Sequence, residues 1–422
     1  MEPKRVLGVD DIHLSDLDFW LRPLDEREGA FATLRDERPV SFHEEPEIEV
    51  LPKGPGYWSL TRHADILEAS RRPELFCSGR GSNINDLPEP FLQFFGSMIN
   101  MDDPRHARMR RIVSRGFTPK ALARVQHDVE RAAAAIVDRV IDKGECDFVE
   151  EIAAALPLQI ICNMTGIPES QYRFVYDRTN LILGAGDPDY GSDPQKMIPL
   201  LLNAGAELAQ LVQELGHKRR QEPGDDLIST LVNAEIEGEQ LSDSELGAFF
   251  VLLVVAGNET TRNAISHGMK ALCDHPEQRR TWRDDFDAVA PTAVEEIVRW
   301  ATPVIHFRRT ATRDTEIGGQ AIAEGQKVVL WYNSGNRDEA VFEDPFRFDV
   351  RRQPNEHVGF GGPGPHYCMG AHLARREITV MFRELFRRLP DLEISGPPDR
   401  LLSFFIHGIK RMPCTFTPGG AS

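Results

Sequence analysis

The stretch FGGPGPHYCMGAHLARRE, residues 360 to 377, holds a single cysteine, Cys368, behind closely spaced glycines and prolines. Glycine permits backbone conformations that other residues resist, and proline stiffens the path of the chain. After the cysteine, apolar residues recur at helical spacing from Leu373 to Leu389. The pattern predicts a rigid loop that places the thiol just before a helix N-terminus, where the dipole and free N–H groups lower a thiol pKa.

A thiol held in this way has several possible roles. It could be a buried structural residue, an axial metal ligand, a zinc ligand, or a nucleophile with His366 or His372 as its base. Zinc would find at most three ligands, the cysteine and these two histidines, at unusual spacing. The chain has six cysteines and no C-x-x-C pair, so neither a disulfide framework nor a zinc ribbon is predicted. The loop alone leaves these alternatives open.

The composition is that of an acidic globular protein. The 422 residues include 49 basic and 66 acidic side chains, giving a net charge of −17, which argues against binding to nucleic acids or anionic membranes. The N-terminal residues MEPKRVLGVDDIHL contain no apolar signal sequence. The longest apolar run, AFFVLLVVA at 248 to 256, is far shorter than the roughly 20 residues that span a bilayer. We therefore expect a cytoplasmic protein without a membrane anchor.

Helical patterns dominate the chain. Residues 120 to 143 carry apolar side chains at helical spacing, whereas strand-like patterns cluster at 48 to 60, 315 to 332 and 401 to 417. The first two of these read as hairpins. No internal repeat and no Gly/Ser linker divides the sequence. The prediction is a single domain, residues 1 to 422, that is mainly α with small β-sheets.

One long helix stands out at residues 246 to 273. Ser242 and Glu245 form a capping box before it. The helix is apolar all round through Ala256, which predicts burial on every side, and then turns polar. Glu259 follows directly, and a buried carboxylate is costly unless it has a partner. Either the helix reaches the surface at Glu259, or this acid has a function.

The cysteine loop resembles the haem-binding loop of the cytochrome P450 family, F-x-x-G-x-[HR]-x-C-x-G. The residues on this pattern are Gly364, His366, Cys368 and Gly370. The family has phenylalanine seven residues before the cysteine, where this chain has Gly361, and Phe360 lies one position further back. An extra residue in the loop would explain this departure, which leaves open which aromatic ring packs beneath the iron.

Further motifs of this family follow in its order between residues 102 and 370. EEIVRW supplies Glu296 and Arg299 at i, i+3 on one helix face, where they can pair, and it matches the E-x-x-R element. Arg347 in DPFRF resembles the third member of that network. AGNET matches the element that gives Glu259 and Thr260 the acid and alcohol positions.

The resemblance implies the cytochrome P450 fold, with haem b buried between the long central helix and the cysteine loop. Cys368 is implied to be the axial thiolate ligand, which favours cleavage of the O–O bond. Thr260 is implied to hydrogen-bond dioxygen, and Glu259 to relay protons from solvent. Gly257 beside Ala256 would leave room for oxygen against the helix.

The haem propionates have four candidate partners. DDPRHARMRRIVSRGFTP, residues 102 to 119, resembles the helix that covers one haem edge. On it His106 and Arg110 lie at i, i+4 and could jointly hold one propionate. Arg309 occupies the position of another propionate-binding arginine, and His366 is a further candidate.

The substrate pocket is implied to be apolar, which favours a lipid-like substrate. Its wall residues are expected on the central helix, after the E-x-x-R helix, in the C-terminal β segment and in the segment 83 to 101 that should arch over the pocket. They are Leu252, Val255, Val304, Ile305, Phe405, Phe94, Phe95, Met98 and Ile99.

No flavin or nicotinamide motif is visible, so electrons are expected from an external ferredoxin and an NAD(P)H-dependent reductase. Five arginines near the thiolate side could form a local basic face that steers an acidic ferredoxin. They are Arg108, Arg111, Arg115, Arg375 and Arg376. A monomer is expected.

Several stretches, among them LPLQIICNMTGIP and PTAVEEIVRWATPV, are similar to the mycobacterial cytochromes P450 that hydroxylate the terminal methyl group of methyl-branched lipids. This similarity implies ω-hydroxylation of branched fatty acids, isoprenoids or sterol side chains. The alternatives are hydroxylation of a steroid nucleus, terpenoid or polyketide at an internal carbon, a peroxygenase, and a haem–thiolate sensor or carrier without catalysis.

Overall fold

The computed structural model describes residues 2–47, 53–88, 91, 94–117, 119–190, 193–235 and 240–419, with only the backbone of 119–124 and 194. Helices dominate it. In chain order they are α1 (Leu17–Leu21), α2 (Leu24–Glu37), α3 (His63–Arg71), α4 (Arg105–Val113), α5 (Pro119–Val140), α6 (Ala155–Thr165), α7 (Tyr172–Leu183), α8 (Pro194–Gln221), α9 (Leu227–Val232), α10 (Asp243–Asp274), α11 (Pro276–Asp284), α12 (Phe286–Ala301), α13 (Tyr332–Gly335) and α14 (Ala371–Arg388).

The strands are short and form small sheets. They are β1 (Val40–His43), β2 (Tyr57–Leu60), β3 (Phe76–Cys77), β4 (Glu145–Asp147), β5 (His306–Ala311), β6 (Thr315–Ile317), β7 (Gln320–Ile322), β8 (Lys327–Trp331), β9 (Glu393–Ile394), β10 (Asp399–Arg400), β11 (Ile409–Arg411) and β12 (Pro413–Thr415). One sheet has the order β1-β2-β8-β5-β3, and another has the order β4-β12-β9. The pairs β6-β7 and β10-β11 stand alone.

The predicted fold class, mainly α with small sheets, is confirmed. Glycines 318 and 319 make the turn between β6 and β7, as the hairpin prediction required. The first arm of the hairpin predicted at 48 to 60 falls largely outside the described residues. Its second arm, β2, pairs with β1 instead, with Val40 opposite Leu60.

The central helix α10 begins as the capping box predicts. The Ser242 hydroxyl accepts a hydrogen bond from the Glu245 amide at 3.2 Å, and the Glu245 carboxylate accepts one from the Ser242 amide at 3.0 Å. Its first half, from Leu246 to Val254, packs into one hydrophobic cluster, and its second half, from Ala264 to Leu272, into another. The polar middle of the helix therefore lies between two separate cores.

The prediction that α10 is buried on every side is wrong for one stripe of its surface. Leu252 and Thr260 are half-buried, and Ala256, midway between them, is exposed. These positions are four residues apart and so share one helix face. Apolar composition alone could not distinguish a face that packs on protein from a face that lines a cavity.

The E-x-x-R residues form a fully buried ion pair. Arg299 Nε donates to Glu296 Oε2 and Arg299 Nη2 to Glu296 Oε1, both at 2.8 Å, and both side chains are 0% exposed. Arg299 Nη1 also donates to the carbonyl oxygens of Asn336 at 2.9 Å and Pro345 at 2.8 Å. The pair therefore ties α12 to the loop region beyond α13.

The prediction that Arg347 completes this network is wrong. Its side chain is 61% exposed and pairs with Asp349 at 3.3 Å. Arg352 takes the place instead: its side chain is 9% exposed, and its Nε lies 3.1 Å from Glu296 Oε2. Arg347 contributes only its carbonyl oxygen, which accepts from Arg352 Nη2 at 2.8 Å. Because the loop turns at this point, the carbonyl faces the network and the side chain faces solvent.

Several histidines are buried in the neutral form. Burial, with the nearby charge of Arg400, lowers the pKa of His267 to about 3, and burial lowers the pKa of both His43 and His306 to about 4. Each would bind a proton in the unfolded chain near its ordinary pKa of about 6.5. The folded state therefore loses stability as the pH falls from 6.5 towards 4.

Replacing His267 by glutamine should remove one group that binds a proton in the unfolded chain but not in the folded protein. His267 Nε2 donates to the His407 carbonyl at 3.0 Å, a bond that a glutamine amide can replace. The slope of unfolding free energy against pH between 4.5 and 6 is expected to flatten by about 1.4 kcal/mol per pH unit. Urea titrations at several pH values measure this slope. An unchanged slope would mean that His267 is protonated in the folded protein.

Candidate active site

Cys368 lies at the end of a loop that packs against α3. Its amide donates to the Phe360 carbonyl at 2.9 Å, which closes the loop just before α14 begins at Ala371. At Gly364, a Cβ atom would lie 2.2 Å from the Ser70 carbonyl oxygen. Only glycine allows the loop to approach α3 this closely, so the predicted rigid loop has a steric basis.

The unusual Gly361 has a conformational explanation. Its φ is +83°, in the left-handed region, whereas the nearest atom to a Cβ there is the His366 carbonyl at 3.7 Å. Backbone conformation, rather than lack of space, therefore disfavours phenylalanine at this position. The ring of Phe360, one residue earlier, lies 4.4 Å from the Arg375 guanidinium carbon.

The sulfur of Cys368 has mixed surroundings. The side chain keeps exposed surface, yet protein encloses it closely enough that burial raises the pKa of its thiol. Hydrogen bonds from the backbone of Gly370 and Ala371 and the charge of Arg110 act in the opposite direction. Burial therefore opposes the effect of the helix terminus on this thiol, and a lowered pKa of Cys368 stays a prediction.

Zinc gains no support from the geometry. Within the described ranges, no three histidine, cysteine, aspartate or glutamate side chains are placed to hold a metal ion together. The cysteine therefore lacks the set of protein ligands that a structural zinc site requires. The exposed surface of Cys368 leaves room for a cofactor that supplies the other ligands of its metal ion itself.

The four predicted propionate partners converge beside the cysteine loop. The rings of His106 and His366 lie 4.3 Å apart. Burial, followed by the charges of Arg309, His106 and Arg110, lowers the pKa of His366 to about 3. Arg110 Nη2 donates to the Tyr367 carbonyl at 2.7 Å, and Arg309 is 6% exposed. Two guanidinium groups and two imidazoles thus meet at one place.

This cluster fits a group that carries carboxylates. His106 Nε2 is buried and has no hydrogen-bond partner among the residues the structure describes. Its Nδ1 lies 3.6 Å from Asp103, and burial lowers its pKa. A buried N–H without an acceptor is costly, and a haem propionate would supply that acceptor next to two arginines. The residues present therefore fit a haem.

The predicted basic face is largely neutralised by carboxylates. Arg375 donates to Glu295 from Nε at 2.5 Å and from Nη2 at 2.9 Å. Arg376 pairs with Glu130 at 2.7 Å. Arg108 pairs with Glu245 at 2.9 Å. Sequence could not reveal these pairs, because the partners come from distant helices.

Glu295 also accepts a hydrogen bond from His357 Nε2 at 2.9 Å. Burial raises the pKa of Glu295, but the hydrogen bonds from His357 and Arg375 outweigh it and bring the pKa to about 2. Arg375 is thereby held over the ring of Phe360. The network links α12 and α14 with the loop that carries the cysteine.

The helix face at Ala256 is a candidate distal wall. Thr260 Oγ1 donates to the Ala256 carbonyl at 2.6 Å. Gly257, predicted to leave room for oxygen, has another constraint: a Cβ there would lie 2.3 Å from Ile161 Cδ1 of α6. Its lack of a side chain serves the close packing of α10 on α6, while its role beside the cofactor stays a prediction.

Glu259 is buried, so the interpretation that the helix surfaces there is wrong. Its side chain is 2% exposed and pairs with Arg262, and its Oε1 accepts from Asn263 Nδ2 at 3.1 Å. Oε2 has no hydrogen-bond partner within the described ranges. Arg262 Nη1 in turn donates to Asn180 Oδ1 at 3.0 Å. The acid therefore has a partner, one helical turn away.

Two of the predicted substrate-wall segments meet. Val304 bridges Ile406, and the Ile305 amide donates to the Phe405 carbonyl at 2.8 Å. Phe405 and Val304 are half-buried. Ile305 is only 3% exposed and packs in a cluster with Trp331, so its assignment to the pocket wall is wrong. Successive residues of an extended segment face opposite sides, and Ile305 faces the core.

The other predicted wall residues lie along α10 and the segment before α4. Leu252 and Val255 are half-buried against the same cluster that contains Met98. Phe95 also packs there, and a Cβ at Gly205 of α8 would lie 3.1 Å from Phe94 Cβ. Ile99 is half-buried. Whether they enclose one pocket stays a prediction, because residues 89, 90, 92 and 93 lie outside the described part.

Sequence reasoning missed two kinds of residue at this site. Arg262 stands at i+3 from Glu259, so helical spacing could have identified it as a partner. Arg352 and His357 come from irregular loops without periodicity. No local pattern could have indicated their partners.

A family model described as Cytochrome P450 matches residues 187–400. Together with close relatives across almost the whole chain, this match shows that the chain belongs to the cytochrome P450 family, whose members are haem–thiolate monooxygenases. It is 50% identical over 418 residues to the methyl-branched lipid omega-hydroxylase of Mycobacterium tuberculosis, covering 98% of this chain and 97% of the relative.

Two further relatives agree with this assignment. The chain is 41% identical over 385 residues to a steroid C26-monooxygenase of Rhodococcus jostii, covering 90% of this chain and 80% of that protein. Among solved structures, a Mycobacterium marinum cytochrome P450 in complex with pseudoionone matches with a TM-score of 0.92 and 45% identity. The match covers 98% of this chain and 100% of that one. The cofactor of this monooxygenase class is haem with a cysteine thiolate.

Proposed function

We propose that this monooxygenase hydroxylates the terminal methyl group of methyl-branched lipids: branched fatty acids, isoprenoids or sterol side chains. The observation that carries the proposal is the 50% identity, over 98% of the chain, with a methyl-branched lipid omega-hydroxylase. The relatives named steroid C26-monooxygenases also act, by their name, at the end of a side chain. The half-buried apolar residues beside Ala256 are compatible with such a substrate.

The residues that would hold the haem divide into two sets. Cys368 would supply the thiolate ligand, and His106, Arg110, Arg309 and His366 would bind the propionates. When bound, a haem with a thiolate ligand supplies the activation of dioxygen. The orphaned Nε2 of His106 supports this placement, because a propionate oxygen would satisfy it.

Thr260 and Glu259, both on α10, are proposed to handle protons. The Thr260 hydroxyl, which donates to the Ala256 carbonyl, would turn to hydrogen-bond dioxygen. Glu259 would exchange protons through its unpartnered Oε2 while Oε1 stays bound to Arg262 and Asn263. Holding one oxygen fixes the carboxylate in place and leaves the other available for proton transfer.

Replacing Thr260 by alanine should uncouple electron use from hydroxylation, because the proton donor beside dioxygen is lost. The product formed per NADPH is expected to fall by about a hundredfold. Thr260→Ser is the matched control, since it keeps the hydroxyl. Comparing NADPH consumed with hydroxylated product measures the effect. Equal coupling in all three proteins would contradict the assigned role.

Regiochemistry is the direct test of the proposed function. The ferric protein is titrated with a methyl-branched fatty acid, a straight-chain acid of equal length, pseudoionone and a sterol with an intact side chain. Turnover products of the binders are then identified by mass spectrometry and NMR. We expect hydroxylation at the terminal methyl carbon of the branched chains. Products oxidised only at internal carbons or on the steroid nucleus would reject the proposal.

Electrons are proposed to come from a ferredoxin served by an NAD(P)H-dependent reductase. With Arg108, Arg375 and Arg376 paired to carboxylates, the proposed docking face carries less net positive charge than the sequence suggests. Reconstitution with a ferredoxin and reductase, followed over a range of ionic strength, tests this partner.

The organisation of the protein is also proposed. Relatives that match 98% of the chain support a single cytochrome P450 domain over residues 1 to 422. We further propose a cytoplasmic monomer. In the described part of the chain, every helix is too short or too polar to cross a membrane. Sedimentation of the purified holoenzyme would test the monomer.

A further inference from the structure

Two cysteines face each other in the small sheet that holds the C-terminal strand. β4 and β12 pair antiparallel with Cys146 directly opposite Cys414, and their sulfur atoms lie 3.5 Å apart. The backbone bonds from Phe148 to Met412, at 2.8 Å, and from Phe416 to Gly144, at 2.9 Å, flank the pair on both sides. The register that opposes the two thiols is therefore fixed.

The backbone geometry of this pair is compatible with a disulfide. Directly opposite residues in an antiparallel ladder have Cα atoms about 4.5–5.5 Å apart. Disulfides span Cα separations of about 4.4–6.8 Å. The sulfurs therefore need to approach by side-chain rotation, without a shift of the strands. In the described part of the chain, Cys77, Cys162 and Cys273 make no such sulfur contact.

The two sulfurs differ in their access to solvent. Cys146 is half-buried, whereas Cys414 is 1% exposed. The Cys414 thiol also lies 3.4 Å from the Cys146 carbonyl oxygen, to which it donates. Contact with Cys146, together with burial, raises the pKa of Cys414. A small oxidant in solvent would thus reach Cys146 first, and the protonated thiol of Cys414 lies next to it.

We propose that Cys146 and Cys414 form a reversible, peroxide-sensitive dithiol, separate from the haem site. The Cys146 thiolate attacks one oxygen of a hydroperoxide; an S–O bond forms, the O–O bond breaks, and hydroxide leaves as water after protonation. The Cys414 sulfur then attacks the resulting sulfenic sulfur, giving up its proton and expelling water as the disulfide forms. The two thiols supply the two electrons that reduce hydrogen peroxide to two waters.

The disulfide would have a structural consequence. It joins the segment between α5 and α6 to the last strand, across 268 residues of sequence. Closing so long a loop removes much conformational freedom from the unfolded chain. The oxidised protein should therefore melt at a higher temperature than the reduced protein.

The test treats the holoenzyme with a small excess of hydrogen peroxide while haem absorbance is monitored. Intact mass should fall by two hydrogen atoms, and digestion without reductant should yield a peptide joining Cys146 to Cys414 that dithiothreitol separates. The melting temperature should rise and return on reduction. The Cys414→Ser variant should instead accumulate a Cys146 sulfenic acid, trapped by dimedone, with no rise in melting temperature.

Cys273→Ser, which alters a half-buried cysteine elsewhere, should behave like the unaltered chain and serves as the control. If both thiols are still fully alkylated after denaturation, in samples taken up to the point where haem absorbance declines, the proposal is overturned. A disulfide that joins any other pair also overturns it. Because no readout uses lipid turnover, these results stand apart from the proposed substrate.

Discussion

The Glu296→Ala variant is expected to lose about 3–5 kcal/mol of unfolding free energy, enough to leave much of the protein unfolded or without haem. Its carboxylate is the counter-ion of Arg299 and Arg352, whose side chains are 0% and 9% exposed. Removing it leaves the two buried guanidinium groups without this counter-ion, although both keep hydrogen bonds to carbonyl oxygens. Urea denaturation followed by circular dichroism gives the free energy, and the haem content of the purified protein gives the second readout.

Two arginine variants make this experiment specific. Arg352→Ala should also destabilise, because its Nε contacts Glu296 and its Nη2 binds the Arg347 carbonyl. Arg347→Ala should change stability by less than about 0.5 kcal/mol, since its exposed side chain pairs with Asp349 at the surface. Equal losses in both arginine variants would contradict the network seen in the structure.

The Cys368→Ser variant is expected to lose both the red-shifted carbonyl band of the reduced protein and all measurable hydroxylation. A serine hydroxyl is a far weaker donor to iron than a thiolate, so dioxygen activation should fall to background. Serine has the same side-chain length as cysteine, and far-ultraviolet circular dichroism checks that the variant keeps its fold. Ferrous carbonyl spectra and product analysis measure the two effects.

Cys162→Ser offers a matched control, because this cysteine is free, fully buried and distant in sequence from the loop. Burial raises its thiol pKa to about 12, so it carries no thiolate at neutral pH. The band and the activity should survive this change. Retention of the red-shifted band in Cys368→Ser would overturn the ligand assignment.

Local sequence signals predicted the frame of the site. The cap formed by Ser242 and Glu245 marked the start of α10, and the glycines and prolines before Cys368 marked the loop. The spacing of Glu296 and Arg299 predicted their ion pair. Each signal involves residues within one helical turn or one loop, where steric and hydrogen-bond preferences act regardless of the rest of the fold.

The partners of these elements depended on the tertiary structure. Arg352, and not the predicted Arg347, pairs with Glu296. Glu259 is buried and pairs with Arg262, and Ile305 packs in the core. These contacts depend on which segments the fold brings together, because a side chain is buried by, and pairs with, residues that are close in space but can be distant in sequence.

The sequence by itself determined that a thiol would be held rigidly before a helix, and that a long apolar helix would turn polar at its middle. Only the tertiary structure decided why Gly361 replaces the family phenylalanine: a φ of +83° is open to glycine and disfavoured for a bulky residue. It also brought His106, Arg110, Arg309 and His366 together beside that thiol, because their positions depend on how three distant segments pack.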